Sequence, residues 1–410
     1  MRQSIPALAS SAIFLASGCS QPTPPEAFEP AALTVPAGAD SSGPRITQGM
    51  DDDVVLSWME PDETGTTLGF SVLSNGQWQP AQTVVSGIHM FVNWADLPSV
   101  VPLQDQHLIA HWLQKMPGGT YAYDVVAAQS IDNGRNWSES FSPHTDGTPT
   151  EHGFVSMFSR DGQAGMIWLD GRKAISEATD DPVASGMTLR AAFVDRDNGL
   201  HGEQLVDELI CDCCQTDVAV AASGPVAVYR DRTSDEIRNI FVSRFVGGEW
   251  QAGQALANEN WHIAGCPVNG PAIAARDDLV VVAWFSAANG LPVVRLSVSN
   301  NSGESFADAV DIAAGSTLGR VGIALLDDSA VAVSWLRAGD QPFNDVMVRR
   351  VSVDGVTGPV QTISSTAAPY SVPQMANHGS HLVFAWTEIH DDVRRVMSAR
   401  VPISALSSTD

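Results

Sequence analysis

The chain has 410 residues, is 44% hydrophobic, and sets 47 Asp and Glu against 22 Lys and Arg, a formal net charge of -25. That apolar content supports a packed core and excludes wholesale disorder. So negative a field also excludes nucleic acid and anionic lipid surfaces as principal partners, and an anionic ligand would need a local cluster of Arg.

The first nineteen residues read as an address rather than as fold. Arg2 precedes a short apolar run from Ile5 to Ala16, too short for a resident membrane span. The run ends in Leu15-Ala16-Ser17-Gly18-Cys19, which is similar to a bacterial lipobox. The similarity implies cleavage before Cys19 and lipidation of that residue, and Ser20 after it is similar to the outer-membrane sorting pattern. The expectation is an exported lipoprotein of a Gram-negative outer membrane, on its periplasmic or surface face, held to the membrane by lipid alone. Residues 20–43 are rich in Pro, Ala, Ser and Gly without periodicity, which predicts a disordered tether.

Residues 44–406 carry a repeat. A short apolar run ends in an aromatic residue at Trp58, Trp112, Trp168, Tyr229, Trp284, Trp335 and Trp386, at spacings of 51 to 61 residues. A period near fifty, built of short alternating strands with almost no helical pattern, predicts an all-β propeller of seven four-stranded blades. Each repeat reads as an inner strand such as Val218 to Ala221, the aromatic-ended strand, a third such as Asn239 to Ser243, and a short edge strand.

The turn between third and fourth strands has its own chemistry. Ser130-Ile131-Asp132-Asn133-Gly134-Arg135-Asn136-Trp137 fits S-x-D-x-G-x-T-W apart from Asn136 at the Thr position. Residues Ser299 to Phe306 are a softened copy, with Asn301 for Asp and Phe306 for Trp. The side-chain oxygen caps the turn, Gly permits positive φ, and the aromatic packs between sheets. On these residues the chain resembles the sialidase-like propellers with BNR repeats, or Asp boxes, over roughly residues 44–406. The resemblance implies that the boxes mark the face away from the active site. It also implies six blades, which stands as the alternative to seven.

If those turns lie at the bottom, the second-to-third loops and the connections between repeats lie on top. The top loops hold Asp170-Gly171-Arg172, Cys211 to Asp217, Arg230-Asp231-Arg232, Glu236-Ile237-Arg238, Cys266, Arg320 and Tyr370. For an acidic chain this is a notable share of its Arg.

Sialidase resemblance implies three Arg gripping a carboxylate, an Asp acid/base, and a Tyr nucleophile activated by a Glu. Arg45-Ile46 keeps two residues of the family's R-I-P motif and loses the Pro to Thr47. By position and residue type, Arg238 or Arg230 and Arg320 complete the clamp, Tyr370 is the nucleophile, Asp62 or Asp96 the acid/base, and Glu236 the activator. Arg172 and His152 join them as candidate ligand-binding residues. The alternative for Arg230, Asp231, Arg232 and Glu236 is an ion-pair ladder bracing the loops, and for Tyr370 ordinary packing.

Four cysteines remain after Cys19. Cys211, Cys213, Cys214 and Cys266 predict two disulfides pinning neighbouring loops, with Cys266 beside Cys213 or Cys214. The alternative is a thiolate site for a soft metal such as Cu(I) or Zn, with His262 or His152; otherwise no cofactor is expected. His144, Asp146, Glu151, His152 and Asp170 form a further cluster suited to a hard cation, to acid/base work, or simply to solvation.

The sequence therefore predicts a monomeric, exo-acting glycoside hydrolase of sialidase type. It would act on an acidic sugar, with a glycan or other small anion as its partner. The alternative is a surface-anchored binding or assembly propeller without turnover.

Overall fold

In the computed structural model, the described residues are Met1, 28–49, 53–175 and 182–407. The apolar leader, the lipobox and Cys19 lie outside them.

Seven antiparallel meanders follow one another along the chain. Their first strands are Ser42–Gln48, Ser99–Pro102, His152–Arg160, Asp217–Ala221, Ala272–Arg276, Thr317–Asp327 and Gln374–His378. Hydrogen bonding groups them into six sheets, because the last two meanders share the bridge Ala367 to Glu388 and merge into one eight-stranded sheet. The seven first strands touch in chain order, and the seventh packs back on the first. They enclose a central channel of about 420 Å³, lined by side chains from every one of them, from Arg45 through Met157 and Ile273 to Met375. The architecture is an all-β propeller.

The ring is closed by the N-terminal segment. Ala31–Leu33 pairs antiparallel with Ser398 to Arg400 and supplies the outer strand of the last meander. Ser41 continues the closure by accepting the Val396 N–H at 3.0 Å. The expected tether of residues 20–43 is corrected here: Ala31–Leu33 and Ser42-Gly43 are strand. A three-residue strand whose partner lies at the other end of the chain leaves no local pattern to read.

The recurring aromatics are buried, and their neighbours explain why the repeat holds. In a strand, residues i and i+2 share a face. An acid two places after the aromatic can therefore satisfy the buried indole N–H. Trp58 donates to Glu60 at 3.0 Å, Trp168 to Asp170 at 2.9 Å, and Trp386 to Glu388 at 2.8 Å. Tyr229 takes another acid, donating to Asp207 at 2.7 Å. The apolar clusters join neighbouring blades, as Ile109, Leu113 and Val125 of the second do with Met166 and Trp168 of the third.

The two predicted turns adopt one hydrogen-bonding pattern. Ser130 Oγ accepts the Gly134 N–H at 2.8 Å, and Asp132 accepts the Asn136 N–H at 2.9 Å. Ser299 Oγ accepts the Gly303 N–H at 3.0 Å, and Asn301 accepts the Ser305 N–H at 3.0 Å. Only a side-chain oxygen is needed at the Asp position, which is why Asn301 substitutes for it.

Candidate functional site

The strand order places the second-to-third loops and the connections between meanders at one end of the ring, opposite those turns. The channel narrows at that end into a recess of about 140 Å³ lined by Arg45, Gln215, Thr216, Asp217, Arg320 and Gln374. Next to it, sharing Val372, is a more apolar pocket of about 280 Å³ whose walls include Met59, Trp94, Leu97, Tyr370 and Arg394.

Each side of the recess is held by the backbone. Arg45 sits in the first inner strand, where its N-terminal turn enters the channel. Arg320 adopts a left-handed backbone with φ 56, and its N–H is fixed by Asn269 Oδ1 at 2.8 Å. Its guanidinium lies over the Trp94 ring, 5.0 Å from the centroid, while Nη1 is buried without a partner. Burial lowers the Arg320 pKa to about 10, which still leaves it charged at neutral pH. Gln215 ties the walls together, donating to Ala95 O at 2.8 Å and accepting the Gly270 N–H at 3.2 Å. Asp217 accepts the Val218 and Ile273 N–H groups at 3.0 Å each. Desolvation raises its pKa, opposed by the charge of Arg45. Among the described residues neither Arg45 nor Arg320 forms an ion pair.

Of the other expected site residues, Tyr370 lines the adjoining pocket and Asp96 a small cleft with Arg45, Gln215 and Val372, while the rest fall elsewhere. Arg230 is buried, donating to the carbonyls of Asn269, Arg238 and Phe285 at 2.9, 2.8 and 2.7 Å, and lies over Trp261. With its whole fork on backbone oxygens, it is a brace rather than a ligand grip. Arg238 pairs with Glu236 at 2.9 Å and Asp212 at 3.3 Å, and Arg232 takes the other oxygen of Glu236 at 2.5 Å. Of the ladder given above as the alternative, Arg232 and Glu236 take part, Arg230 and Asp231 do not, and Arg238 and Asp212 complete it. Against the desolvation of burial, the hydrogen bonds from Arg232 and Arg238 hold the Glu236 pKa low. Asp62 closes its own turn, accepting from Thr67, from Thr64 at 2.6 and 2.7 Å and from Ser86 at 2.9 Å. The hydrogen bonds from Thr67 and Thr64 hold its carboxyl well below the usual carboxylate range, which does not suit a general acid. Among the described residues no hydrogen bond or ion pair links Tyr370 to either carboxylate, and its side chain is 37% exposed.

Asp96 belongs to a buried acid network. It accepts the Phe154 N–H at 2.9 Å, and desolvation pushes its pKa up to about 7. Beside it the buried Tyr123 donates to Glu151 at 2.6 Å and stacks on Phe91 with ring centroids 4.2 Å apart. Burial pushes the Glu151 carboxyl up to about 7 as well. His152 and Arg172 lie across the same blade seam. Arg172 forks onto Asp170 with two 2.7 Å hydrogen bonds and reaches Glu203 at 3.0 Å.

The cysteines differ from the expectation in number: of the two disulfides expected, one is formed, between Cys211 and Cys214 within one connection. Cys266 does come beside Cys213, and both are thiols; burial, then the neighbouring Cys266, pushes the Cys213 thiol up. For a soft metal this leaves Cys213, Cys266 and Asp212, whose ligand atoms lie within 4.8 Å of one another.

Sequence reasoning placed Gln215 and Asp217 in a top loop without giving them a role, and missed Trp94, Tyr123 and Asp124. Each is a single polar or aromatic residue at the top edge of a strand or in a connection, with no motif to mark it.

No protein-family model and no curated protein matches this chain. Among solved structures it is similar to a protein of unknown function from Dyadobacter fermentans, with a TM-score of 0.52 and 12% identity, over 92% of this chain and 98% of that one. It is also similar to the endosialidase of phage phi92, with a TM-score of 0.48 and 8% identity over 92% and 69%. A sialidase of Trypanosoma rangeli in complex with the inhibitor DANA gives 0.45 and 10% identity, over 81% of this chain and 57% of its own. These likenesses concern the fold.

Proposed function

We propose that the channel mouth binds the carboxylate of an acidic sugar between Arg45 and Arg320, and that the protein acts on acidic glycans. The observation that carries this reading is two unpaired guanidinium groups facing one recess in a chain of net charge -25. Two Arg without an acid partner line one cavity, an arrangement that suits an incoming anion. Forked guanidinium groups match a carboxylate in shape and stay charged. Trp94 and Tyr370 in the adjoining pocket offer an aromatic wall for the apolar face of a sugar ring.

Hydrolysis asks for more. Asp62 and Glu236 are committed to a turn and to an ion-pair ladder, and Asp96 is buried with its Oδ1 on the Phe154 N–H, so the reading supported best is recognition.

The test is calorimetric titration with N-acetylneuraminic acid, glucuronic acid and neutral galactose, alongside a fluorogenic sialoside assay. An acidic sugar should bind and galactose should not. Arg45→Ala and Arg320→Ala should each weaken binding roughly 10- to 100-fold, the worth of a charge-assisted hydrogen bond. Turnover lost in Tyr370→Phe makes the protein a hydrolase, and binding without turnover makes it a glycan-binding propeller. Equal binding of acidic and neutral sugars, or none of either, refutes the proposal.

A further inference from the structure

The seam between the second and third blades carries a second constellation, away from the residues lining the channel mouth. Tyr123 and Glu151 meet across it in a parallel bridge. Successive residues of extended chain point to opposite sides, so Asp124 and His152 face the other way. There His152, wholly buried, stacks on His144 with ring centroids 3.9 Å apart and planes 8° from parallel.

The two rings lie between carboxylates. On one edge Asp146 Oδ1 is 3.0 Å from His144 Nδ1 and 3.3 Å from His152 Nε2, and Asp170 Oδ1 is 3.8 Å from the same His152 nitrogen. These acids are engaged elsewhere. Asp146 accepts from Thr148, and Asp170 is held by Arg172 and by Trp168 at 2.9 Å. Asp146 holds the proton on His144 Nδ1 and so turns that ring's lone pair to the opposite edge, while neither nitrogen of the buried His152 has a hydrogen-bond partner.

That edge carries Asp124. Its Oδ1 is 3.7 Å from His144 Nε2 and 3.5 Å from His152 Nδ1, too far for hydrogen bonds. Both nitrogens are buried without a partner, and the three ligand atoms lie within 4.8 Å of one another. Ion-to-ligand bonds of about 2.0–2.2 Å in a tetrahedral site set its ligands roughly 3.3–3.5 Å apart. Two orphaned imidazole nitrogens and a carboxylate lie near this spacing, and a modest tilt of the two stacked rings toward each other would bring both in-plane lone pairs onto one ion. The Asp124 side chain is 25% exposed, which leaves an entry path and an open fourth position.

We propose that His144 Nε2, His152 Nδ1 and Asp124 Oδ1 bind one divalent transition-metal ion of the zinc class. Two imidazoles and one carboxylate suit a borderline cation better than calcium or magnesium, which take oxygen ligands. The ion would join the second blade to the connection entering the third, where one bridge and few other backbone bonds close the seam.

The experiment uses the protein carrying no polyhistidine tag, stripped with EDTA and titrated with zinc by calorimetry, with cobalt spectra alongside. One ion per chain is expected, with a higher melting temperature when loaded. Asp124→Asn, at a partly exposed position that should not disturb folding, should abolish saturable binding. Asp146→Asn should weaken it roughly 10- to 100-fold, the usual effect of an outer-shell change. The Cys213→Ser, Cys266→Ser double variant should bind as the parent does, and cobalt should give no thiolate charge-transfer band. Absence of saturable binding in the parent overturns the proposal. So does binding that survives Asp124→Asn, or that disappears with the two cysteines.

Discussion

Replacing Asp96 with Asn tests whether the buried acid network is an electrostatic burden. Asp96 is 1% exposed, accepts the Phe154 N–H, and faces Tyr123 and Glu151. Desolvation raises its pKa from 3.8 to about 7. Between those values the native state holds a proton that the unfolded state has released. Stability from this group is therefore fully present below about pH 4 and is lost as pH rises through about 7, beyond which the loss is constant. Three units at ~1.4 kcal/mol each give a ceiling of ~4 kcal/mol, and relaxation around the charge brings the expected value to about 2–4 kcal/mol. Asn keeps the acceptor for Phe154 and carries no charge. Urea unfolding in acid and in mild alkali should show the parent losing more stability than Asp96→Asn by that amount. Glu151, also near 7, repels the Asp96 carboxylate, so the difference reports Asp96 together with its coupling to Glu151. Parallel pH profiles for the two proteins would refute the assignment of a desolvated carboxyl.

Three further outcomes are expected. Arg230→Leu strands three buried carbonyls and should cost about 3–5 kcal/mol by thermal or urea unfolding; Arg230→Lys should recover little, since one ammonium cannot reproduce the fork. Gly134→Ala should cost roughly 1–3 kcal/mol, because φ is +81 and the new Cβ would stand 2.3 Å from the Phe70 ring. A chain beginning at Ser42 loses the closing strand, and should melt earlier and exchange the freed amides of Ser398 to Arg400 faster than the longer chain does.

The propeller was legible because its repeat is written in buried aromatics. Burial at seven positions requires seven apolar runs, and at Trp58, Trp168 and Trp386 the acid that satisfies the indole follows two residues on, on the same strand face. The closing strand was not legible, because Ala31 to Leu33 gains its partner only when the two chain ends meet. The resemblance of Arg45-Ile46 to a family motif picked out Arg45, and topology with the scarcity of basic residues picked out Arg320. The same reasoning also admitted Arg230 and Glu236, since position on the top face does not reveal whether a side chain is already engaged. Asp62 had a local signal that was passed over: Asp62-Glu63-Thr64 is a turn in which the hydroxyl and N–H two residues on cap the carboxylate.

The blade seam shows most plainly where a sequence reading stops. Tyr123 and Asp124 are adjacent, as are Glu151 and His152, and only the parallel bridge between the two segments sorts them. One side becomes an acid network around Tyr123, and the other gathers Asp124, His144 and His152. Sliding the Glu151-His152 segment by one residue would put Glu151 on the side of Asp124 and His144 and turn His152 toward Tyr123. The register of one bridge thus decides which side chain joins Asp124 and His144, and the alternation rule applies only once that register is known. The His-Asp constellation is a property of the seam between two blades, and no single repeat contains it.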